Sequence, residues 1–316
     1  MPFPDSVRFI RAFNERVRGS GPLEHTEEKE MRVSIIGIGD MGRDIARHVK
    51  NKGHDVTGYD ISEQRRSDAA ANGLKVVDSL AEAVGNAEVH LVIVATDAQS
   101  ETVTREILQS GPAGSTVVIL ATNGPKTMQA LAVECEAKGL GFVDAPVVFG
   151  RQGAEEGQLG SLCGGTKAQV EKITPVLEAY SKAVHHVGSV GSGQVAKACN
   201  NMLHWAACVA NFEVLLLAKR YGIDAQQMRE TLIECPGTNG TLVRWDDTRF
   251  TWHEKDLDLA LTLAQEGGLP LPLFGQVDQL VKHLDAEKVK NLLYGPEAEY
   301  LGQHVKPLTK EEGGLN

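Results

Sequence analysis

The chain of 316 residues is long enough for two domains, each with its own core. An apolar fraction of 42%, a charged fraction of 23% and a formal charge of −10 fit a globular protein in water and disfavour a nucleic-acid surface. The apolar run at 203–218 is broken by His204, Asn211 and Glu213, short of the roughly 18 to 20 residues a membrane helix needs. The five cysteines (Cys135, Cys163, Cys199, Cys208 and Cys235) form no Cys-x-x-Cys pair, which argues against a disulfide framework or a zinc knuckle. The expectation is a cytoplasmic protein with reduced thiols, without a metal and without membrane or nucleic-acid partners.

Residues 1–30 form an N-terminal extension. Arg8, Arg11, Arg16 and Arg18 alternate with Phe9, Ile10, Phe13 and Val17, which predicts a short amphipathic helix. It lacks the basic-then-apolar order of a signal peptide. From residue 31 short apolar runs alternate with helical stretches. Strands are expected at 32–37, 55–60, 89–95, 116–121 and 141–144, with two more at 158–163 and 183–187. That order predicts a parallel sheet with crossover helices over 31–190. A long helix from Gln194 to Tyr221 then opens a mostly helical segment, 191–316. The fold class is therefore α/β: a Rossmann-type domain, then an all-α domain joined to it by a long helix.

The turn Gly37-Ile38-Gly39-Asp40-Met41-Gly42 lies between the first strand and the first helix, with Asp60 ending the next strand. In that context the pattern predicts a dinucleotide site. Gly37 permits the tight turn, Gly39 lets the backbone approach a pyrophosphate, and Gly42 allows close helix packing. The helix N-terminus offers unpaired N–H groups to the anion. A carboxylate at Asp60 bonds ribose hydroxyls and repels a 2′-phosphate, so NAD is expected over NADP, with Arg65 and Arg66 as the residues that would favour NADP.

Lys197 stands one turn inside the long helix, after Gly191-Ser192-Gly193. Asn201 is four residues on and shares its face. Two readings stand at this point. Desolvation can lower a lysine from about 10.4 toward 7 to 8, where it exchanges protons near neutrality. Alternatively the ammonium snorkels to the surface.

Four blocks, in order, give the chain a family likeness: Gly37-x-Gly39-x-Met41-Gly42, Asp144-Ala-Pro-Val147, 191–201, and Lys255-Asp-Leu-Asp-Leu-Ala260. Over about residues 31–300 it resembles the β-hydroxyacid dehydrogenases, which include 3-hydroxyisobutyrate dehydrogenase and are related to 6-phosphogluconate dehydrogenase. The resemblance implies metal-independent hydride transfer with a small-molecule substrate. Lys197 would be the general acid/base and Asn201 would hold substrate. Lys255 would stand near the cofactor. Thr122 would meet the nicotinamide ribose, and Val94, Ala95 and Thr96 would form a loop over the other ribose. It further implies a homodimer, or a dimer of dimers, packed through the long helix.

The family block reads Asp-Ala-Pro-Val-Ser-Gly-Gly, whose last three residues grip the substrate carboxylate. Here Val148 and Phe149 replace Ser-Gly, and Gly150 remains. One expectation is a larger or more apolar substrate, its acid group met by Asn123, Arg151, Arg244 or His253. Another is reduction of an aldehyde or imine, and a third is a non-catalytic dinucleotide sensor. His185 and His186 point to opposite faces of a strand and make a poor metal pair. Trp245 and Trp252 are expected in core or pocket wall, and Cys199 and Cys208 in packing.

Overall fold

The computed structural model describes residues 30–315; the helix expected in the N-terminal extension lies outside them. The described residues divide into two compact units, one ending at Lys197 and the other beginning at Ala198.

The first unit is built on one sheet. Its strands are β1 (Arg32–Ile36), β2 (Asp55–Tyr59), β3 (Lys75–Val76), β4 (Val89–Val92), β5 (Thr116–Ile119), β6 (Gly141–Asp144), β7 (Val147–Val148), β8 (Leu159–Gly164) and β9 (Ser181–Gly188). They lie in the order β3-β2-β1-β4-β5-β6-β8-β7, with β9 beside β8. From β3 to β6 every pairing is parallel, as the alternating pattern predicts. Beyond β6 the expectation of a parallel sheet needs correction. Strand β8 runs antiparallel to β6 and β7, because the Asp144-to-Gly160 stretch folds back through a short helix rather than a full crossover. Strands β7 and β3, two residues each, are too short to show a period.

The central strands are buried along their whole length, as in a sheet covered on both faces. Ile35, Leu91, Val118 and Val143 point into one core, and Ile36, Val92, Ile119 and Phe142 into the other. Helix α1 (Asp40–Asn51) buries Ile45, Ala46 and Val49, with Asp40 in its first turn and His48 and Lys50 in its last, complementing the helix dipole. Away from the turn, a buried polar row crosses the sheet. Ser34 Oγ lies 2.8 Å from His90 Nδ1, and His90 Nε2 lies 2.9 Å from Ser115 Oγ. Burial holds His90 down at about 4.

The remaining helices of the first unit are α2 (Glu63–Ala71), α3 (Leu80–Val84), α4 (Asp97–Ser110), α5 (Pro125–Ala137), α6 (Gly150–Glu156) and α7 (Lys167–Leu177). Helix α8 (Ser192–Arg220) begins in this unit and continues into the second. Its composition departs from expectation: one 18-residue window has a mean hydropathy of 1.3, enough by length and composition to cross a membrane. The burial of Trp205, Cys208, Phe212 and Leu215 at helical spacing in the second unit's core accounts for that apolarity. The second unit adds α9 (Ala225–Ile233), α10 (Gly240–Val243), α11 (His253–Glu266), α12 (Pro272–Val281) and α13 (Ala286–Tyr294). It also holds a small antiparallel hairpin, Ala298–Tyr300 with Gln303–Val305, in a segment read as helical punctuation. Trp245 is core, as expected, whereas Trp252 is 61% exposed. Cys208 is buried, but Cys199 is exposed and fills no core position.

Candidate active site

The glycine turn follows β1 at the carboxyl edge of the sheet. Gly37 has φ +93°, and a Cβ there would collide with the carbonyl oxygen of Ile93. Its N–H donates to Tyr59 O at 2.8 Å. A Cβ on Gly42 would collide with the carbonyl oxygen of Gly37. The fold itself therefore demands both glycines. Gly39 differs: only the Arg65 guanidinium comes within reach of a Cβ there, at 3.7 Å. Gly39 is the N-cap of α1 and supplies no capping side chain. A side chain at Gly39 would meet only that cation, and the first N–H groups of α1 receive no side-chain cap from it, an opening that fits a pyrophosphate.

Asp60 braces this turn. Its Oδ2 accepts from Ile38 N at 3.0 Å and its Oδ1 from Ser62 N at 2.9 Å. Arg65 Nη1 stands 3.5 Å from Oδ2, and Arg66 donates to the Asp60 carbonyl at 2.8 Å. Asp40 is exposed and pairs with Arg43 at 3.5 Å and Arg151 at 3.3 Å, while Met41 packs on the core. Val94 is half-buried after β4, and Ala95 and Thr96 are exposed beyond it. Gln99 Oε1 takes the N–H groups of Ala95 and Thr96, and Thr96 Oγ1 caps α4 in return.

The loop after β5 holds Thr122, half-buried, and Asn123, buried. Asn123 was expected as a replacement donor to substrate. In the structure its Oδ1 accepts from Ser100 Oγ at 3.0 Å and Nδ2 donates one bond to Asp97 Oδ1 at 2.7 Å. Of the other candidate donors, Arg151 pairs with Asp40. Arg244 Nε donates to Gly240 O at 3.4 Å, and His253 Nδ1 lies 3.0 Å from Phe250 O.

At the end of β6, Asp144 is buried and accepts from Gly191 N at 2.7 Å and from Gln194 N at 3.0 Å. Burial pushes its carboxyl up to about 6, against the pull of those backbone N–H groups. The carboxylate fastens the first turn of α8 to the end of β6. Lys197 follows one turn on and is half-buried; Asn201 lies a further turn along the same helix, in the second unit. Lys255 sits half-buried on α11 of that unit.

Val148 ends β7, and Phe149 takes φ +80°, with Gly150 at +57°. The backbone keeps a glycine-type conformation although the side chain is a phenylalanine. The Phe149 ring lies against the space beside Gly160, and Lys182 Nζ stands 3.7 Å above its centroid. Reading the residues alone missed Gln194 and Asp97, whose polar side chains bond the β5 loop; a buried glutamine in the first turn of an apolar helix was the available signal. Among the described residues no three His, Cys, Asp or Glu side chains gather to hold a metal ion.

Residues 32–188 match the NAD-binding domain of 6-phosphogluconate dehydrogenase, and residues 191–292 the NAD-binding domain described for NADP-dependent 3-hydroxyisobutyrate dehydrogenase. The mitochondrial 3-hydroxyisobutyrate dehydrogenase of Drosophila melanogaster is 31% identical over 266 residues, covering 78% of this chain and 82% of that protein. The 2-(hydroxymethyl)glutarate dehydrogenase of Eubacterium barkeri is 27% identical over 267 residues, covering 80% and 89%. A Mycobacterium tuberculosis 3-hydroxyisobutyrate dehydrogenase solved with L-serine superposes with a TM-score of 0.75 at 26% identity, covering 84% of this chain and all of that one. With the glycine turn, its bracing aspartate and the lysine helix in place, the chain belongs to the NAD(P)-dependent β-hydroxyacid dehydrogenase family.

Proposed function

We propose that the protein interconverts a β-hydroxy acid, or a bulkier analogue of one, with the corresponding carbonyl compound, using NAD and with Lys197 carrying the proton. The observation that carries this reading is the anchoring of the lysine helix. Asp144 fastens its first turn to the end of β6, on the sheet edge that also bears the glycine turn. Ligands of open α/β sheets bind outside the carboxyl ends of the strands. The Gly39 end of the turn would hold the pyrophosphate, and Asp60 and Thr122 would face the two riboses. A bound nicotinamide would supply the two-electron chemistry, as acceptor or donor of the hydride at the carbinol carbon. Lys197 Nζ takes the hydroxyl proton as the carbonyl forms and gives it back in the reverse direction. Asn201 is assigned to substrate, and Lys255 to the cofactor and substrate, on the family resemblance.

The loss of a hydroxyl at Val148 favours a substrate with more apolar surface than hydroxyisobutyrate. Asp60, buried beside the turn, favours NAD; Arg65 beside it is the group a 2′-phosphate would seek. We also assign dimer formation to the exposed apolar stripe of α8.

The test is a panel of L-serine, 3-hydroxyisobutyrate, 2-(hydroxymethyl)glutarate and larger 3-hydroxy acids, with aldehydes and imines in the reverse direction, each run with NAD and NADP. Lys197→Ala should lower kcat by about 10²- to 10⁴-fold, the scale of general acid–base catalysis, while cofactor binding by fluorescence holds. Normal turnover by that variant would remove Lys197 from the mechanism, and a kcat/KM ratio favouring NADP would overturn the reading of Asp60.

A further inference from the structure

We propose that Gln194 is a positioning residue: by clasping the backbone on both sides of Thr122 it sets the height of Lys197 against the loop after β5, where the nicotinamide ribose is assigned. The inference rests on the reading of Lys197 as proton carrier. The Gln194 side chain is fully buried in the first turn of α8. Its carboxamide is used at both ends. Nε2 donates to Ala121 O at 2.9 Å, and Oε1 accepts from Asn123 N at 2.9 Å. Those are the backbone groups flanking Thr122, so one side chain closes the loop as a neighbouring strand would. The backbone N–H of Gln194 meanwhile donates to Asp144 Oδ2.

Asn123 carries the connection onward through Ser100 and Asp97, and Asp97 Oδ2 takes Gly124 N at 2.9 Å. The ends of β5 and β6, the first turn of α4 and the first turn of α8 are thereby joined in one network within the first unit, buried except at Asp97, where it is half-buried. Lys197 follows three residues after Gln194, about 4.5 Å along the helix. A tilt or slide of the first turn is therefore passed directly to its ammonium. Near-attack geometry tolerates little error, since a displacement of about 1 Å can cost about a hundredfold in rate.

The test compares the wild type with Gln194→Leu and Gln194→Glu. Leucine keeps the bulk and removes both bonds. In the cofactor-free protein, hydrogen exchange across residues 120–126 should quicken about tenfold in Gln194→Leu, as the Asn123 N–H loses its acceptor. The dissociation constant for reduced cofactor should stay within about threefold, since the pyrophosphate turn is untouched. On the wild type's best substrate, kcat should fall about 10- to 100-fold. The primary isotope effect with C4-deuterated cofactor should rise as hydride transfer becomes limiting. Glutamate supplies a second readout. Ionised, it faces the Ala121 carbonyl with a carboxylate; protonated, it reproduces the carboxamide's donor and acceptor. The ratio of Gln194→Glu to Gln194→Leu activity should therefore climb as pH falls from about 8 to 5; Asp97, Asp144 and Lys197 are common to both variants.

Wild-type exchange and kcat in Gln194→Leu would overturn the inference. So would a fall in kcat with an unchanged isotope effect and a flat ratio against pH, which a merely structural role predicts. The two readings fail separately. An inactive wild type, or an active Lys197→Ala, removes the proton carrier and this inference with it. A normal Gln194→Leu beside an inactive Lys197→Ala removes this inference alone.

Discussion

Phe149 occupies a place where the family pattern has glycine, and its backbone has not moved out of the left-handed region. For an L-residue that conformation costs about 1 to 2 kcal/mol. The ring's contact beside Gly160 and the Lys182 ammonium above it supply compensation, of which the cation–π contact contributes about 0.5 to 1 kcal/mol. Two truncations separate strain from packing. Phe149→Gly and Phe149→Ala lose the same ring, but only glycine relieves the strain, less its extra unfolded-state freedom. Phe149→Gly should be the more stable of the two by about 0.5 to 1 kcal/mol in urea unfolding. Equal stability, or an advantage for alanine, would show that strain at the +80° backbone does not exceed glycine's extra unfolded-state freedom. The sequence alone showed that Ser-Gly had become Val148-Phe149. It could not show that the backbone would hold its course while the ring turned to the sheet, because that depends on Gly160 and Lys182, distant in the chain.

At the scale of elements, the runs with a strong period were legible. Strands β1, β2, β4, β5 and β6, helix α1 and the long helix α8 all follow from apolar spacing and turn residues. The two-residue strands β3 and β7 were not, nor was the antiparallel course of β8, which is fixed by pairing to β6 and β7. The candidate site divides in the same way. Gly37, Asp60 and Lys197 announce themselves by position in a motif. The bonds of Asp97, Asn123 and Gln194 join segments up to 73 residues apart, and only the glutamine in the first turn of an apolar helix hints at them locally. Helix α8 also carries a feature that its own unit does not use. Val195, Leu203, Val214 and Leu217 recur near helical spacing and stay exposed, Leu203 at 70% and Leu217 at 61%. Covering such a stripe by a second copy removes apolar surface at about 25 cal/mol per Å². If the proposed dimer packs through this stripe, Leu217→Glu should shift the protein toward monomer in light scattering. An unchanged mass would take the dimer contact away from this helix.

For the first unit as a whole, two buried groups pull in opposite directions as the solution is acidified. His90 is held near 4, below its ordinary value of 6.5, so the unfolded chain takes the proton first. Its contribution is present above about 6.5 and is lost as pH falls toward 4. Asp144 is raised to about 6 from 3.8, so the folded chain takes the proton first. Its contribution is present below 3.8 and is lost as pH rises through 6. Each shift of two units or so corresponds to about 3 kcal/mol. Between pH 4 and 6 the two slopes oppose each other. Asp144→Asn leaves His90 unopposed, so that variant should lose about 3 kcal/mol of unfolding free energy between pH 6.5 and 4 beyond any change in the wild type. The slope is the measure, since asparagine also disturbs the bond to Gln194 N. Parallel pH profiles for the two proteins would sink this account.

The turn at Gly37 and Gly42 has a consequence for how cofactor use can change. Both glycines are required by neighbouring carbonyls of the protein itself, whatever dinucleotide is bound. Substitutions there damage the scaffold before they alter selectivity. The freedom to retool lies one strand over, where Asp60 and Arg65 meet in front of Gly39. A library aimed at exchanging one nicotinamide currency for the other should hold the glycines constant and vary 60–66. Drift along a lineage would follow the same route, leaving Lys197, the proposed proton carrier, undisturbed.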